Sequence, residues 1–349
     1  MTIEASTATK DARIADLDAL RGLAALAVVL FHYTTRYDAL YGHGSRPWLD
    51  LPWGHFGVQL FFGISGFVIF MTLDRTRSLA DFAVSRASRL YPAYWTAMVA
   101  TTAVMLVAGR NELLVSPAIF AANFTMLQSF AGLPSVDGVY WTLAVELAFY
   151  VAMAALWQLR LLGRIELILL GWISLKWVWT FAPALAGVEP SWLLGALLVQ
   201  QHIPFFAIGI VAYRLRSGTA DPRWPAAVIA AALVTVAACD DFAHLLVAAL
   251  TAGVLLLVAL RGLEQLTARL LVWLGSISYS LYLLHQYIGF ALLARLEAAG
   301  VNANAAIALT LATALLLAAA ATFWIERPVL RAVRGWYRGR AVPRPAVAA

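Results

Sequence analysis

Apolar stretches of close to twenty residues recur from one end of this 349-residue chain to the other. A helix needs roughly 20 mainly apolar residues to cross the hydrocarbon core of a bilayer. Backbone polar groups in lipid must be satisfied within the segment itself, which selects helices. The runs place candidate spans at 17–36, 56–74, 91–109, 139–159, 165–183, 192–213, 225–239, 243–260, 270–294 and 304–325. The short 225–239 run and its neighbour form a tight hairpin around Asp240 and Asp241. The stretch 113–130 is apolar but interrupted by Pro117 and Asn123, and reads as re-entrant or interfacial. Composition agrees: 62% of residues are hydrophobic and 13% charged, where soluble domains carry about 25% charged residues. No soluble core of this length buries that much apolar surface. The expected fold class is an all-α polytopic membrane bundle of about ten transmembrane helices.

Lys and Arg positions orient the bundle. With the N-terminus inside, nineteen of the 25 fall in inner loops and tails, from Lys10 and Arg13 through to Arg340 and Arg344. Four, namely Arg36, Arg46, Arg110 and Arg295, fall outside. A missed span would exchange the sides of every later loop and destroy this bias. Both termini are therefore expected in the cytoplasm, in the cell (inner) membrane. The expected division is a cytoplasmic segment 1–16, a transmembrane domain 17–325 and a basic cytoplasmic tail 326–349. The tail reads as a solvated segment that fixes topology. Net charge is +6, but the arginines sit between apolar runs and form no basic face, so nucleic acid is not an expected partner. Cys239 is the lone cysteine, which excludes an internal disulfide and CxxC-type metal sites; no metal is expected. No cleavable signal is evident.

Ionisable groups inside spans cost at least ~2.5 kcal/mol each on insertion scales and are functional candidates. Arg21 and His32 are eleven residues apart in the first span. Eleven steps of about 100° return almost to the same helix face, ~16.5 Å further along. One face thus carries a cation near the inner boundary and an imidazole much farther out. Asp18, one turn before Arg21, can pair with it. The plainer reading is a snorkelling arginine and an ordinary packed histidine. Glu146 lies about a third of the way into the span beginning near 139, with no cation nearby in sequence. It is either catalytic or a structural interhelical bond. The run Gly275 to His285 holds three serines and two tyrosines, a set that suits the lining of a wet cavity. Its serines suit helix packing, while His285 stays open. His202 suits helix packing, and His43, His55 and His244 form no spacing pattern. Lys176 either snorkels or pairs with Glu166. Gly57 to Phe67 gathers small residues that permit close backbone approach, to a helix or to a ligand; it is not a nucleophile elbow. Arg86 and Arg89 share a helix face at the inner mouth of a span. Such a pair suits phosphate, although the positive-inside rule alone places arginines there.

In order along the chain, these segments resemble the acyltransferase-3 family of integral membrane O-acyltransferases. The family's Arg-x10-His appears as Arg21 and His32. Its small-residue second-helix signature appears as Phe61-Phe62-Gly63-Ile64-Ser65-Gly66-Phe67, and its Arg-x-x-Arg as Arg86 and Arg89. Its Trp-Ser/Thr-Leu followed by Glu appears as Trp141-Thr142-Leu143 and Glu146. Ser278 to His285 matches its late run, and Glu326-Arg327-Pro328 its closing motif. Many relatives carry a soluble esterase-like domain after the last span; about 24 residues follow it here, so the stand-alone form is expected.

The resemblance implies transfer of an acyl group, usually acetyl, from cytoplasmic acyl-CoA to a carbohydrate hydroxyl, as in an exopolysaccharide, O-antigen or lipid-linked sugar. It makes Arg86 and Arg89 donor-binding and gives Arg21 a role in guiding the donor. His32 is then the general base or a transient acyl carrier. Glu146 becomes the carboxylate expected to orient His32, by analogy with an acid–histidine pair. The alternative is a polytopic transporter of a sugar or lipid-linked intermediate, which also places polar residues between helices.

Overall fold

The computed structural model describes residues 3–340, with side chains from Ala15 to Gly339 apart from Glu264. The side chains of Lys10, Arg13, Arg340 and Arg344, counted above as inner charges, lie outside that part. The described chain is all-helical. Its main helices are α1 (Ile3–Phe31), α2 (Tyr37–Tyr41), α3 (Gly57–Asp74), α4 (Leu79–Ala108), α5 (Pro117–Asn123), α6 (Trp141–Gln158), α7 (Ile165–Ala186), α8 (Trp192–Leu197), α9 (Ile203–Arg216), α10 (Arg223–Cys239), α11 (Phe242–Leu260), α12 (Arg269–Leu284), α13 (Gln286–Ala298), α14 (Ala303–Ala321) and α15 (Arg327–Arg340).

Six described helical segments are long and apolar enough to cross a membrane: 52–74, 79–108, 138–158, 162–186, 242–260 and 303–339. A seventh is added when α12 and α13, bent by 75° at their junction, count as one span. The chain is therefore a multi-pass membrane protein. The expected span 192–213 is split into α8 and α9 by an irregular stretch in which Val199 has φ 45°. The expected span 225–239 lies in the 17-residue helix α10. Between α10 and α11 the chain turns at Asp240–Asp241, and Asp241 caps α11 by accepting from the His244 N–H at 2.9 Å. In 113–130 the chain forms only the seven-residue α5 and short 3-10 turns. Asn123 is buried there and braces the turn, donating to the Ile119 and Pro134 carbonyls and accepting from Val136 N–H.

Glycines fix the two closest helix crossings. A Cβ on Gly209 of α9 would sit 1.8 Å from the Gly63 carbonyl oxygen of α3. A Cβ on Gly275 of α12 would sit 1.9 Å from the Asp18 carbonyl oxygen of α1. Between helices in lipid, such small residues let backbones approach and gain packing energy. The Gly57–Phe67 run thus meets a helix with its glycines. The α1–α12 crossing also brings two of the polar sequences together.

The buried ion pairs differ from one expectation. Lys176 does not pair with Glu166. It donates to both carboxylate oxygens of Asp240, at 2.6 and 2.8 Å, while Glu166 accepts from Arg214 at 2.8 Å. Lys176 lies in the middle of α7, ~15 Å along the helix from Glu166, and meets the α10–α11 turn there.

Candidate active site

Two cavities lie along α1, one for each of its two charged or titratable landmarks. The first, of about 80 Å³, is lined by Arg21 of α1, Arg89 of α4, Ser65 of α3, Glu146 and Tyr150 of α6, and Ser278, Tyr279 and Tyr282 of α12. Glu146 accepts from the Ser65 hydroxyl at 2.8 Å and from the Tyr150 hydroxyl. Among the described residues neither Arg21 nor Arg89 has a carboxylate within ion-pair distance. Asp18 and Glu146 act on Arg21 only at longer range, so the expected Asp18–Arg21 pair is not formed. Two guanidinium groups thus share a chamber with one hydrogen-bonded carboxylate, an arrangement that leaves positive charge available to an anion.

The second cavity, of about 250 Å³, is lined by His32, Arg36, His55, Gln59, Trp141 and Gln286, among others. Val58 and Tyr282 line both cavities and form the partition between them. His32 opens a π-helical turn, His32–Arg36, that interrupts the regular helix after Phe31; such bulges are frequent at functional sites. The Oε1 atoms of Gln59 and Gln286 are buried without a protein partner among the described residues.

His32 is held through one ring nitrogen. Its Nδ1 is 2.8 Å from the Val28 carbonyl oxygen and 3.2 Å from Nε2 of His285. His285 Nδ1 is 2.8 Å from the Tyr282 carbonyl oxygen. A carbonyl only accepts, so His285 donates from Nδ1 and, as neutral imidazole, accepts at Nε2. The same logic puts the His32 proton on Nδ1, shared between Val28 and His285. The Nε2 lone pair of His32 is then the one left for chemistry. His285 stands at the 75° break between α12 and α13, and its carbonyl accepts from the Tyr33 hydroxyl at 2.8 Å. That bond helps satisfy the backbone where the helix is broken.

The five residues singled out from sequence therefore fall into three places. Arg21, Arg89 and Glu146 meet in the first cavity, and His32 faces the second. Arg86 lies beside the first cavity without lining it, and donates to the Ser85 and Thr72 hydroxyls at 3.2 and 3.4 Å. The expected pairing of Glu146 with His32 is not made. Glu146 bonds Ser65 and Tyr150 instead, and the partner of His32 is His285. Ser65 and Tyr150 went unread as site residues. The only signal for Ser65 was a hydroxyl inside a glycine-rich run, which packing explained equally well. His202 packs between Phe62 and Trp141, with ring centroids 4.7 and 5.6 Å away, in line with its expected packing role.

Comparison with known proteins identifies the family. Residues 14–325 match the acyltransferase-3 family's acyltransferase domain. The exopolysaccharide production protein ExoZ of Rhizobium meliloti is 27% identical over 321 residues, covering 82% of this chain and 91% of that one. The acyltransferase MdmB of Streptomyces mycarofaciens is 27% identical over 311 residues, 78% of each chain. Nodulation protein 10 of Rhizobium leguminosarum bv. viciae is 30% identical over 163 residues, covering 41% of this chain and 44% of its own length. No solved structure matches the chain. With its arginine-lined and histidine-lined cavities inside the matched region, the chain belongs to the acyltransferase-3 family and is an enzyme that transfers acyl groups.

Proposed function

We propose that this enzyme moves an acyl group, acetyl in the usual case, from cytoplasmic acyl-CoA to a carbohydrate hydroxyl, with His32 as general base. The observation that carries this reading is the state of His32. Its Nδ1 is engaged by Val28 and His285, and Nε2 remains free to take a proton in a cavity that also offers two unpartnered carboxamide oxygens. Those oxygens suit the hydroxyl donors of a polyol. A hydroxyl is a poor nucleophile until its proton leaves. In this mechanism His32 Nε2 takes that proton as the acceptor oxygen attacks the thioester carbonyl. The carbon–oxygen bond forms, the carbon–sulfur bond breaks, and the thiolate recovers the proton from the imidazolium. His285 Nε2 accepts from the imidazolium Nδ1–H throughout and stabilises the charge.

The donor enters on the arginine side. Arg21 and Arg89 face its phosphates or carbonyl from the first cavity, with Arg86 beside them. The thioester end reaches between Val58 and Tyr282, which line both cavities. Glu146 holds Ser65 and Tyr150 in place and balances the arginines, a positioning role rather than the pairing with His32 that sequence implied. The reading keeps ten spans in the inner membrane, both termini in the cytoplasm and a catalytic domain over 17–325. ExoZ is named for exopolysaccharide production, which supports a polysaccharide or its lipid-linked precursor as acceptor.

The test is His32→Ala. Membranes carrying the variant at wild-type level should show no acceptor-dependent release of CoA, and glycans from those cells should lose the acyl group. Near-normal turnover in a folded His32→Ala protein would remove the mechanism.

A further inference from the structure

The basic C-terminal helix α15 was expected to do no more than fix topology. It packs against α4, and Arg334 reaches Ser85 there. Its Nη2 lies 3.4 Å from the Ser85 hydroxyl and 3.5 Å from the Ser85 carbonyl oxygen. Arg86 donates to that same hydroxyl at 3.2 Å. Two guanidinium groups from different elements thus converge on one serine. Arg89 and Arg338 are further charges acting on Arg334. No carboxylate lies within ion-pair distance of Arg86, Arg89 or Arg334 among the described residues. Two acids act on this group at longer range, Glu146 on Arg86 and Glu326 on Arg89; Glu146 is itself bonded to Ser65 and Tyr150, and Glu326 to Ser280 at 3.1 Å. The Nε–H of Arg86 is buried with no partner among the described residues.

Like charges gathered this closely repel, and an unpaired buried N–H adds a desolvation cost. A multiply charged oxyanion removes both penalties, since planar guanidinium forks match phosphate oxygens. We propose that Arg334 joins Arg86 to form a binding site for the nucleotide phosphates of the donor, so that α15 is part of the acyl-CoA site. The inference rests on the acyl-CoA reading above and adds to it a residue outside the matched region 14–325. It also places the adenosine end of the donor at the α4–α15 junction, with the pantetheine arm leading past Arg89 into the first cavity.

The experiment is equilibrium binding of CoA and of pantetheine, which lacks the phosphates, to purified full-length protein in zwitterionic nanodiscs. Arg334→Ala should weaken CoA binding roughly ten- to a hundredfold, the range for one charge-assisted hydrogen bond, and leave pantetheine binding unchanged. Arg334→Lys, which keeps charge but not the fork, should recover part of the loss. An equal thermal midpoint in all three proteins separates binding from folding. The inference is overturned if Arg334→Ala changes neither ligand or both alike. It is also overturned if the residue governs binding of phosphatidylglycerol, tested by anionic nanodiscs, and not of CoA. Failure of the wild type to bind CoA in any disc would instead overturn the donor reading itself.

Discussion

Replacing His285 with phenylalanine tests the hydrogen-bond chain at its weakest link. An aromatic ring stays in place, larger than imidazole, and the acceptor at 3.2 Å from His32 Nδ1 is lost together with the donor to the Tyr282 carbonyl. The second anchor, the Val28 carbonyl at 2.8 Å, remains, so the proton stays on Nδ1 and the variant is not a tautomer swap. What is lost is the strengthening of one bond as His32 becomes an imidazolium. Neutral bonds contribute about 0.5–1.5 kcal/mol and bonds to charged groups about 1.5–3. The long N···N distance argues for the lower half of each range. The differential is then about 1 kcal/mol, or roughly a 5-fold fall in kcat, with up to about 30-fold if the His32 ring also loosens. The donor KM should hardly move, because Arg21 and Arg89, the arginines proposed to face the donor, line the other cavity. His285→Gln, which restores an acceptor oxygen, should recover part of kcat. The assay is CoA release at saturating acyl-CoA and acceptor by detergent-purified protein of unchanged thermal midpoint. A kcat within twofold of wild type for the folded His285→Phe protein would refute the positioning role. So would a His285→Gln protein as impaired as His285→Phe.

Changing Arg86 and Arg89 together to alanine should raise the donor KM at least tenfold while lowering saturated turnover much less; an unchanged KM measured in the same CoA-release assay would contradict their assignment. Gly209→Ala forces a Cβ to within 1.8 Å of the Gly63 carbonyl oxygen, so α3 and α9 must part. The cost is about 1–3 kcal/mol as overpacking, visible as a lowered midpoint in detergent, and an unaltered midpoint would mean the crossing is not as tight as described. Lys176→Met leaves the Asp240 carboxylate without its cation. Loss of one partner of a buried pair costs about 3–5 kcal/mol, reduced here because Asp240 is partly exposed, and Lys176→Met with Asp240→Asn should recover most of the midpoint.

Depth along a helix was legible in the sequence, and direction around it was not. The eleven-residue spacing of Arg21 and His32 placed one at each of two levels, and the structure gives each level its own cavity. Hydropathy found the helical stretches because lipid exposure acts on every residue of a span. It did not find the breaks at Val199 and His285, where a few residues change course without changing apolarity. Glu146 and His32 were matched by analogy with an acid–histidine pair, yet Glu146 turns toward Ser65 and Tyr150. The His285–His32 contact joins residues 253 apart in sequence, and no local pattern encodes it. Lys176 was matched to Glu166 by proximity in sequence, but a lysine in mid-helix takes whatever carboxylate the packing delivers, which is Asp240.

The partition made by Val58 and Tyr282 has an electrical consequence. With one cavity open to each face of the membrane, as the proposed topology and reaction require, most of the transmembrane voltage would fall across the thickness of these two side chains. A full charge crossing there would meet about 2.3 kcal/mol for each 100 mV. An acyl group is neutral and would cross without meeting that field, whereas the phosphates of its carrier, held back by arginine, need never enter it. Turnover should then be indifferent to membrane potential in sealed vesicles, and the same narrow wall would keep the enzyme from becoming an ion leak.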